Sequence, residues 1–115
     1  MKNNIVYSRT KFQLISPKKL NRIAALVRSK SVDSALSILS NMPHRSARVL
    51  YKSIFSAASN AVNNSNLNRS DLVISQLLIN EGPVHKRYRP RARGRMFQVL
   101  KRTSHIVVGV AEGVL

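Results

Sequence analysis

The sequence predicts an α+β protein in which three helices precede a long antiparallel β-hairpin. Apolar residues recur at helical spacing in the first half of the chain. Runs rich in Val, Ile and Leu, short enough for strands, dominate the second half. A length of 115 residues with 43% hydrophobic content fits one small domain with a modest core.

The first predicted helix has a clear start. Residues 12–15 indicate a short strand or an extended lead-in, and Ser16 and Pro17 follow. A serine hydroxyl accepts hydrogen bonds from first-turn amides, and proline fits the first helical position. Apolar residues then recur at helical spacing from Leu20 to Val27, so we expect the helix to reach about Val27.

Two further helices are predicted before residue 66. Ser31 is expected to cap the second helix, with Asp33 in its first turn, where the helix dipole favours an anion. Pro43 ends that helix, because the residue before a proline avoids helical backbone angles, and it opens a third, longer helix. The Asn- and Ser-rich residues 63–66 predict the turn that ends the third helix.

The cations on these helices allow two interpretations. Lys18 and Lys19 lie in the first turn of the first helix, where the dipole disfavours positive charge. Arg45, Arg48 and Lys52 share one face of the third helix. Each group either contacts an external polyanion or forms a solvated surface, and for the third helix the solvated surface is the commoner explanation.

The last third of the chain predicts the hairpin. Residues 72–80 indicate one strand and residues 95–110 indicate a second, longer strand. The Pro- and Gly-containing segment between them places the apex near residues 90–94. Lys or Arg occupies six of the ten positions 86–95. We therefore expect a basic arm that projects from the domain.

The overall charge favours a nucleic-acid partner. The chain has 20 Lys and Arg against 4 Asp and Glu, a net charge of +16, and no acid lies between Gly82 and Ala111. Such a charge repels itself unless a polyanion neutralises it. Arginine binds phosphate in bidentate geometry, and Tyr88 and Pro90 offer flat surfaces for stacking. An anionic membrane surface ranks second, and a disordered cationic tail is disfavoured by the strand-like sequence that follows the arm.

Composition argues against enzymes and metal sites. Without Cys the chain can form neither disulfides nor thiolate metal sites. The histidines His44, His85 and His105 lack partners at metal-ligand spacing. Ser104 and His105 are adjacent in a predicted strand, so their side chains point to opposite faces and cannot pair as nucleophile and base. The apolar runs are too short to cross a bilayer. We expect no enzyme activity, no cofactor, no metal and no membrane insertion.

Several long motifs resemble the ribosomal protein L22 family of the large subunit. The similarity extends over about residues 9–112 and includes Asn80-Glu81-Gly82-Pro83 before the basic arm. The other similar segments are 16–19 (SPKK), 27–30 (VRSK), 56–64 (SAASNAVNN), 86–95 (KRYRPRARGR) and 101–106 (KRTSHI). One departure is Ser29, which stands where many members have Gly at the exit of the first helix, so that turn is expected to differ.

The resemblance implies a fold and a function. It implies three helices packed on a small antiparallel sheet with one long protruding β-hairpin, in a single domain over 1–115 with the basic hairpin at 81–104. It also implies a structural constituent of the large ribosomal subunit that supports assembly. The partners would be large-subunit rRNA, neighbouring large-subunit proteins and the nascent polypeptide, because the hairpin apex of this family lines the peptide exit tunnel.

Two groups of residues are carried over to this sequence by the resemblance and by their charge. The expected tunnel apex consists of Arg89, Pro90, Arg91, Ala92 and Arg93. The expected rRNA-binding residues are Arg9, Lys11, Lys18, Lys19, Arg22, Arg28, Lys30, Lys86, Arg87, Tyr88, Arg89, Arg91, Arg93, Arg95, Lys101, Arg102, Ser104 and His105.

The main alternative is an architectural DNA binder that inserts a basic β-arm into the minor groove. Preference for folded RNA over duplex DNA would separate it from the ribosomal interpretation. The expected location is the large ribosomal subunit. The 25 Asn and Ser residues suggest an AT-rich genome, which fits a bacterial cytoplasm or an organelle that encodes its own ribosomal proteins, a plastid more readily than a mitochondrion.

Overall fold

A computed structural model of the protein describes residues 5–90, 94 and 96–113. Three helices pack against a three-stranded antiparallel sheet, and a second, two-stranded sheet extends from it, which confirms the predicted α+β class. The elements are β1 (Val6–Gln13), α1 (Pro17–Ala24), α2 (Val32–Ser40), α3 (Arg45–Ser65), β2 (Leu72–Glu81), β3 (His85–Pro90), β4 (Met96–Lys101) and β5 (Ser104–Glu112), with a short 3₁₀ turn at Arg69–Asp71 before β2.

The three-stranded sheet has the order β1-β5-β2, so the last strand of the chain lies in the centre. Both neighbours run antiparallel to it: Val6 of β1 and Ile74 of β2 each pair with Val110. The second sheet is the hairpin of β3 and β4, in register from His85 opposite Lys101 to Pro90 opposite Met96. The molecule measures 65 × 26 × 20 Å.

The hydrophobic core lies between the helices and one face of the three-stranded sheet. Each helix contributes the apolar stripe that its spacing predicts, and the sheet contributes alternate residues of β2 and β5. The largest fully buried apolar side chains are Leu20, Leu39, Leu50, Ile54, Leu72, Ile106, Val27, Val32, Val108 and Val110. Removing such surface from water stabilises the fold by roughly 25 cal/mol per Å².

The starts of the first two helices agree with the sequence prediction. The Ser16 hydroxyl accepts a 3.4 Å hydrogen bond from the Lys19 amide, and the Ser31 hydroxyl accepts one of 3.3 Å from the Ser34 amide. The end of α1 differs from the prediction: the helix stops at Ala24 instead of reaching Val27. After Ala24 the amides of Leu26 and Val27 donate to carbonyls only three residues back, and Val27 stays fully buried while the chain turns.

The first strand starts earlier in the chain and is longer than the predicted segment over residues 12–15. It begins at Val6, and the predicted lead-in over residues 12–15 coincides with an irregularity at Phe12, whose φ is +58°. After Val6, which packs against the core, the inward side of β1 carries hydroxyls in place of apolar groups, since Ser8 is buried and Thr10 forms a 3.0 Å hydrogen bond to Ser53 of α3. The alternation of apolar and polar residues that identifies a strand is therefore absent.

The third helix is longer at its end than predicted. It starts at Arg45 and continues through Asn63 and Asn64, where a turn was expected. Only Asn66 breaks it, with a left-handed φ of +54°, and the Leu67 amide then donates to the Ala61 carbonyl. Asparagine tolerates this conformation, and the half-buried Leu67 supplies the hydrophobic contact typical of such a cap.

The predicted long strand over 95–110 is two strands, β4 and β5, separated by Arg102 and Thr103. Residues 82–84 stand opposite these two residues, so three residues of one arm face two of the other and the ladder cannot continue. The junction is closed by other bonds: the Gly82 amide donates to the Thr103 carbonyl, and the Thr103 hydroxyl donates to the Pro83 carbonyl.

Candidate nucleic-acid interface

The two-stranded β3–β4 hairpin contains the densest cationic sequence of the chain. Lys86 and Tyr88 of β3 are exposed, and the Tyr88 side chain keeps 59% of its surface accessible. Arg87 and Arg89 also lie on β3, and Pro90 ends it. A two-stranded ribbon buries little of its own surface, so the Tyr88 ring is available to an external partner.

The expected apex falls largely outside the described residues. Arg89 and Pro90 are at the end of β3, whereas Arg91, Ala92 and Arg93 lie outside the part of the chain that the structure describes, as does Arg95. Gly94 has a φ of +70°, a left-handed conformation that suits glycine in a tight turn.

A second cationic group surrounds a groove at the base of the hairpin, where β4 passes the starts of α1 and α3. The groove has a volume of about 580 Å³. Four of the predicted rRNA-binding residues line it, namely Lys19, Arg22, Lys101 and Arg102, and all four are exposed. We refer to it as the hairpin-base groove.

Two further residues that line this groove are absent from the predicted rRNA-binding residues. Arg45 lies at the first position of α3, and His44 is the residue that precedes it. For Arg45 both interpretations were left open with the solvated helix face as the commoner one, and His44 was considered only as a metal ligand. Their position directly after Pro43, at the positive end of a long helix, was the available signal.

The other predicted cations are spread over the surface. Arg9 and Lys11 are exposed on β1, and the Arg9 guanidinium lies 5.5 Å from the centre of the Tyr7 ring. Lys18 is exposed in the first turn of α1, and Lys30 is exposed in the loop before α2. None of the four lines the hairpin-base groove.

Three predicted binding residues have bonds within the protein. Ser104 is fully buried, and its hydroxyl donates a 2.6 Å hydrogen bond to the Ile15 carbonyl, so it is not a surface contact. The half-buried His105 accepts a hydrogen bond from the Phe12 amide at Nδ1. Arg28 is exposed but donates through Nε to the carbonyl of Leu77 on the edge strand β2.

The described side chains offer a charged surface without a reactive cluster. Within residues 5–90, 94 and 96–113, no three His or acidic side chains are grouped in a way that could hold a metal ion. In the same residues no helix combines the length and the apolar character needed to span a membrane. What the surface can do is neutralise phosphates and stack on bases.

Comparison with known proteins identifies the family. The model of the family described as ribosomal protein L22p/L17e matches residues 8–111, most of the chain. The chain belongs to this family. The L22p/L17e family is structural, so the prediction that the chain is no enzyme is confirmed.

Curated relatives agree with the L22p/L17e assignment. The chain is 48% identical to the large ribosomal subunit protein uL22 of Finegoldia magna over 102 residues, 89% of this chain and 91% of that protein. It is 46% identical to the uL22 protein of Roseiflexus castenholzii over 90% of this chain and 92% of that protein. The uL22 protein of Mesoplasma florum is 43% identical over 85% of this chain and 88% of its own length. All three relatives are bacterial.

Proposed function

We propose that this protein is a structural component of the large ribosomal subunit that binds large-subunit rRNA through its basic hairpin and the cationic surface at the hairpin base. The observation that carries the proposal is the two-stranded ribbon of β3 and β4, which extends a strongly basic sequence away from the core. The family assignment and the name of the bacterial relatives support a place in the large subunit.

The charge distribution supports RNA as the partner. From Gly82 to Ala111 the sequence contains no acid, so this segment can approach phosphates without repulsion. The exposed Tyr88 ring adds a stacking surface, which suits the unpaired bases of a folded RNA. Because cations lie both on the ribbon and on the globular part, one molecule can hold separate RNA segments together, and we propose that it supports subunit assembly in this way.

The same proposal assigns a position in the ribosome to the hairpin apex and to the globular part. We place the hairpin apex, including Pro90, on the wall of the peptide exit tunnel, where it faces the nascent polypeptide. Neighbouring large-subunit proteins would contact the globular part. The compartment would be a bacterial cytoplasm or an organelle with its own ribosomes, a plastid before a mitochondrion, and the protein would not insert into a membrane.

Binding to deproteinised large-subunit RNA tests the proposal. Arg87→Gln with Arg89→Gln removes two charges from the hairpin, and Arg48→Gln with Lys52→Gln removes two from the exposed face of α3. We expect the hairpin pair to weaken binding by at least about tenfold and to reduce the slope of log affinity against log salt by about two, with a smaller effect of the α3 pair. Equal effects of the two pairs would contradict a dedicated hairpin site.

Three further measurements address the alternatives. Equal affinity for duplex DNA and folded RNA would favour the architectural binder with a basic β-arm. Sedimentation of cell lysate, followed by immunodetection, should place the protein with the large subunit even in high salt. A photoreactive residue at Pro90 should cross-link to nascent chains in paused ribosomes, and cross-links to rRNA alone would argue against the tunnel position.

A further inference from the structure

The hairpin-base groove combines features that a simple phosphate-binding surface does not need. Its rim carries cations, among them Arg45 and Lys101, and none of its lining residues is acidic. Its wall, however, is apolar: Leu14 keeps 57% of its surface exposed and Leu100 keeps 45%. Exposed leucines beside several cations suit a ligand that has both an anionic and an apolar part.

The anionic part has a defined position at the start of α3. His44 precedes this helix without a side-chain hydrogen bond to its first-turn amides, so these amides have no side-chain cap. Ser46, in the same turn, is only 7% exposed and lines the groove, and among the described residues its hydroxyl has no hydrogen-bond partner. A hydroxyl that opens into this groove, beside uncapped amides and Arg45, fits a phosphate oxygen.

We propose that the hairpin-base groove holds one unpaired nucleotide of the rRNA, with its phosphate at Ser46 and its base against Leu14 and Leu100. The proposal rests on the proposed rRNA-binding function and adds a specific site to it. The groove volume of about 580 Å³ lies within the range of small-molecule sites. Sequence-specific RNA recognition commonly uses bases that are turned out of the helix, which would explain why the groove has an apolar wall.

The groove is continuous with the hairpin, which favours RNA over other occupants. Leu100 and Lys101 end β4, and Arg102 follows in the junction to β5, so RNA bound along the hairpin reaches the groove directly. An acidic segment of a neighbouring protein could offer similar chemistry, and we treat it as an outcome of the experiment.

A matched pair of leucine variants tests the site in the full-length protein. Leu14 lines the groove, whereas Leu26 is 49% exposed and does not. Leu14→Glu and Leu26→Glu add the same charge to exposed positions, so general repulsion from RNA affects both. We expect Leu14→Glu to weaken binding to deproteinised large-subunit RNA by about tenfold more than Leu26→Glu, since losing the apolar contact of one buried leucine side chain costs on this scale. Equal affinities of the two variants would overturn the proposal.

Two controls keep this result interpretable. Should Leu14→Glu lower the melting temperature, the pair Leu14→Ala and Leu26→Ala repeats the comparison without added charge. The hairpin variant with Arg87→Gln and Arg89→Gln is measured in parallel. If it binds RNA weakly while Leu14→Glu equals Leu26→Glu, the nucleotide site is wrong and the proposed function stands. If the hairpin variant also binds normally, the proposed function fails as well.

A cross-linking experiment identifies the occupant. A photoreactive benzoylphenylalanine replaces Leu14 or, as control, Leu26, and the protein is assembled into large subunits before irradiation. We expect the Leu14 probe to cross-link to a single unpaired nucleotide and the Leu26 probe to give no such product. Cross-links to base-paired RNA or to a neighbouring ribosomal protein would overturn the assignment.

Discussion

Gly82 and Thr103 face each other across the junction of the two sheets, so closely that a Cβ at position 82 would lie 2.5 Å from the Thr103 hydroxyl oxygen. That hydroxyl is held in place by the 2.6 Å hydrogen bond that it donates to the Pro83 carbonyl. Thr103 is 1% exposed, so it has little space in which to move. The contact between these two residues determines where the hairpin leaves the core.

Gly82→Ala should therefore destabilise the protein by about 1–3 kcal/mol, the usual cost of overpacking a tight site. Urea unfolding, followed by circular dichroism, measures the change. In a Thr103→Ala background the clash with the hydroxyl is gone, and we expect Gly82→Ala to cost less. Additive effects of the two substitutions would show that the contact does not limit the packing.

Ser29→Gly should stabilise the protein by a few tenths of a kcal/mol up to about 1 kcal/mol, because an L-residue in the left-handed region is strained and glycine is not. Ser29 has a φ of +63° in the turn that follows α1. Ser37→Gly is the matched control, since Ser37 is exposed in α2 and a helical glycine costs about 0.5–1 kcal/mol. Thermal unfolding of both variants should give shifts of opposite sign, and a lower melting temperature for Ser29→Gly would contradict the prediction.

Ser104→Ala should lower the free energy of unfolding by about 1–3 kcal/mol, because the Ile15 carbonyl loses its buried partner. The affinity of the folded protein for RNA should not change, since the Ser104 side chain has no exposed surface. Ser75→Ala, at an exposed position of β2, serves as the control and should leave both quantities within about 0.5 kcal/mol. A loss of RNA affinity at unchanged stability would restore Ser104 as a binding residue.

Arg28→Lys should destabilise the protein by about 0.5–1 kcal/mol, because lysine cannot form the two directed bonds that the guanidinium makes. Arg28 donates to the Leu77 carbonyl and to the Asn21 side chain, and so ties the exit of α1 to the outer edge of β2. Arg48→Lys on the exposed face of α3 is the matched control, expected to have almost no effect. Native-state amide exchange should show faster opening along β2 in Arg28→Lys alone, and equal exchange in both variants would refute the role of Arg28.

The parts of the fold that local chemistry determines could be predicted from the sequence. Ser16 and Ser31 cap their helices as expected, because a hydroxyl at that position acts within three residues. β1 was not recognised over most of its length, because Thr10 satisfies its inward position by a hydrogen bond to Ser53, a partner distant in sequence. The break at Thr103 likewise depends on the opposite arm and has no local signal.

The candidate interface likewise has one part that the sequence predicts and one part that depends on tertiary structure. The charge density of the arm is a property of the sequence, and it led directly to Lys86 and Tyr88. The hairpin-base groove depends on tertiary structure, because Leu14 and Ser46 meet only when α1, α3 and β4 pack together. Composition could not distinguish the buried Ser104 from the exposed Lys101 and Arg102 nearby, since burial is decided by the strands around it.

The central position of β5 has a consequence for the order of folding during synthesis. Val6 pairs with Val110, and Leu72 pairs with Glu112, so neither edge strand can pair with its partner strand until β5 has been made. The helices can form while the chain is still growing, since their hydrogen bonds are local. A chain stopped before Ser104 would lack the strand that joins β1 to β2, leaving two open backbone edges exposed to aggregation.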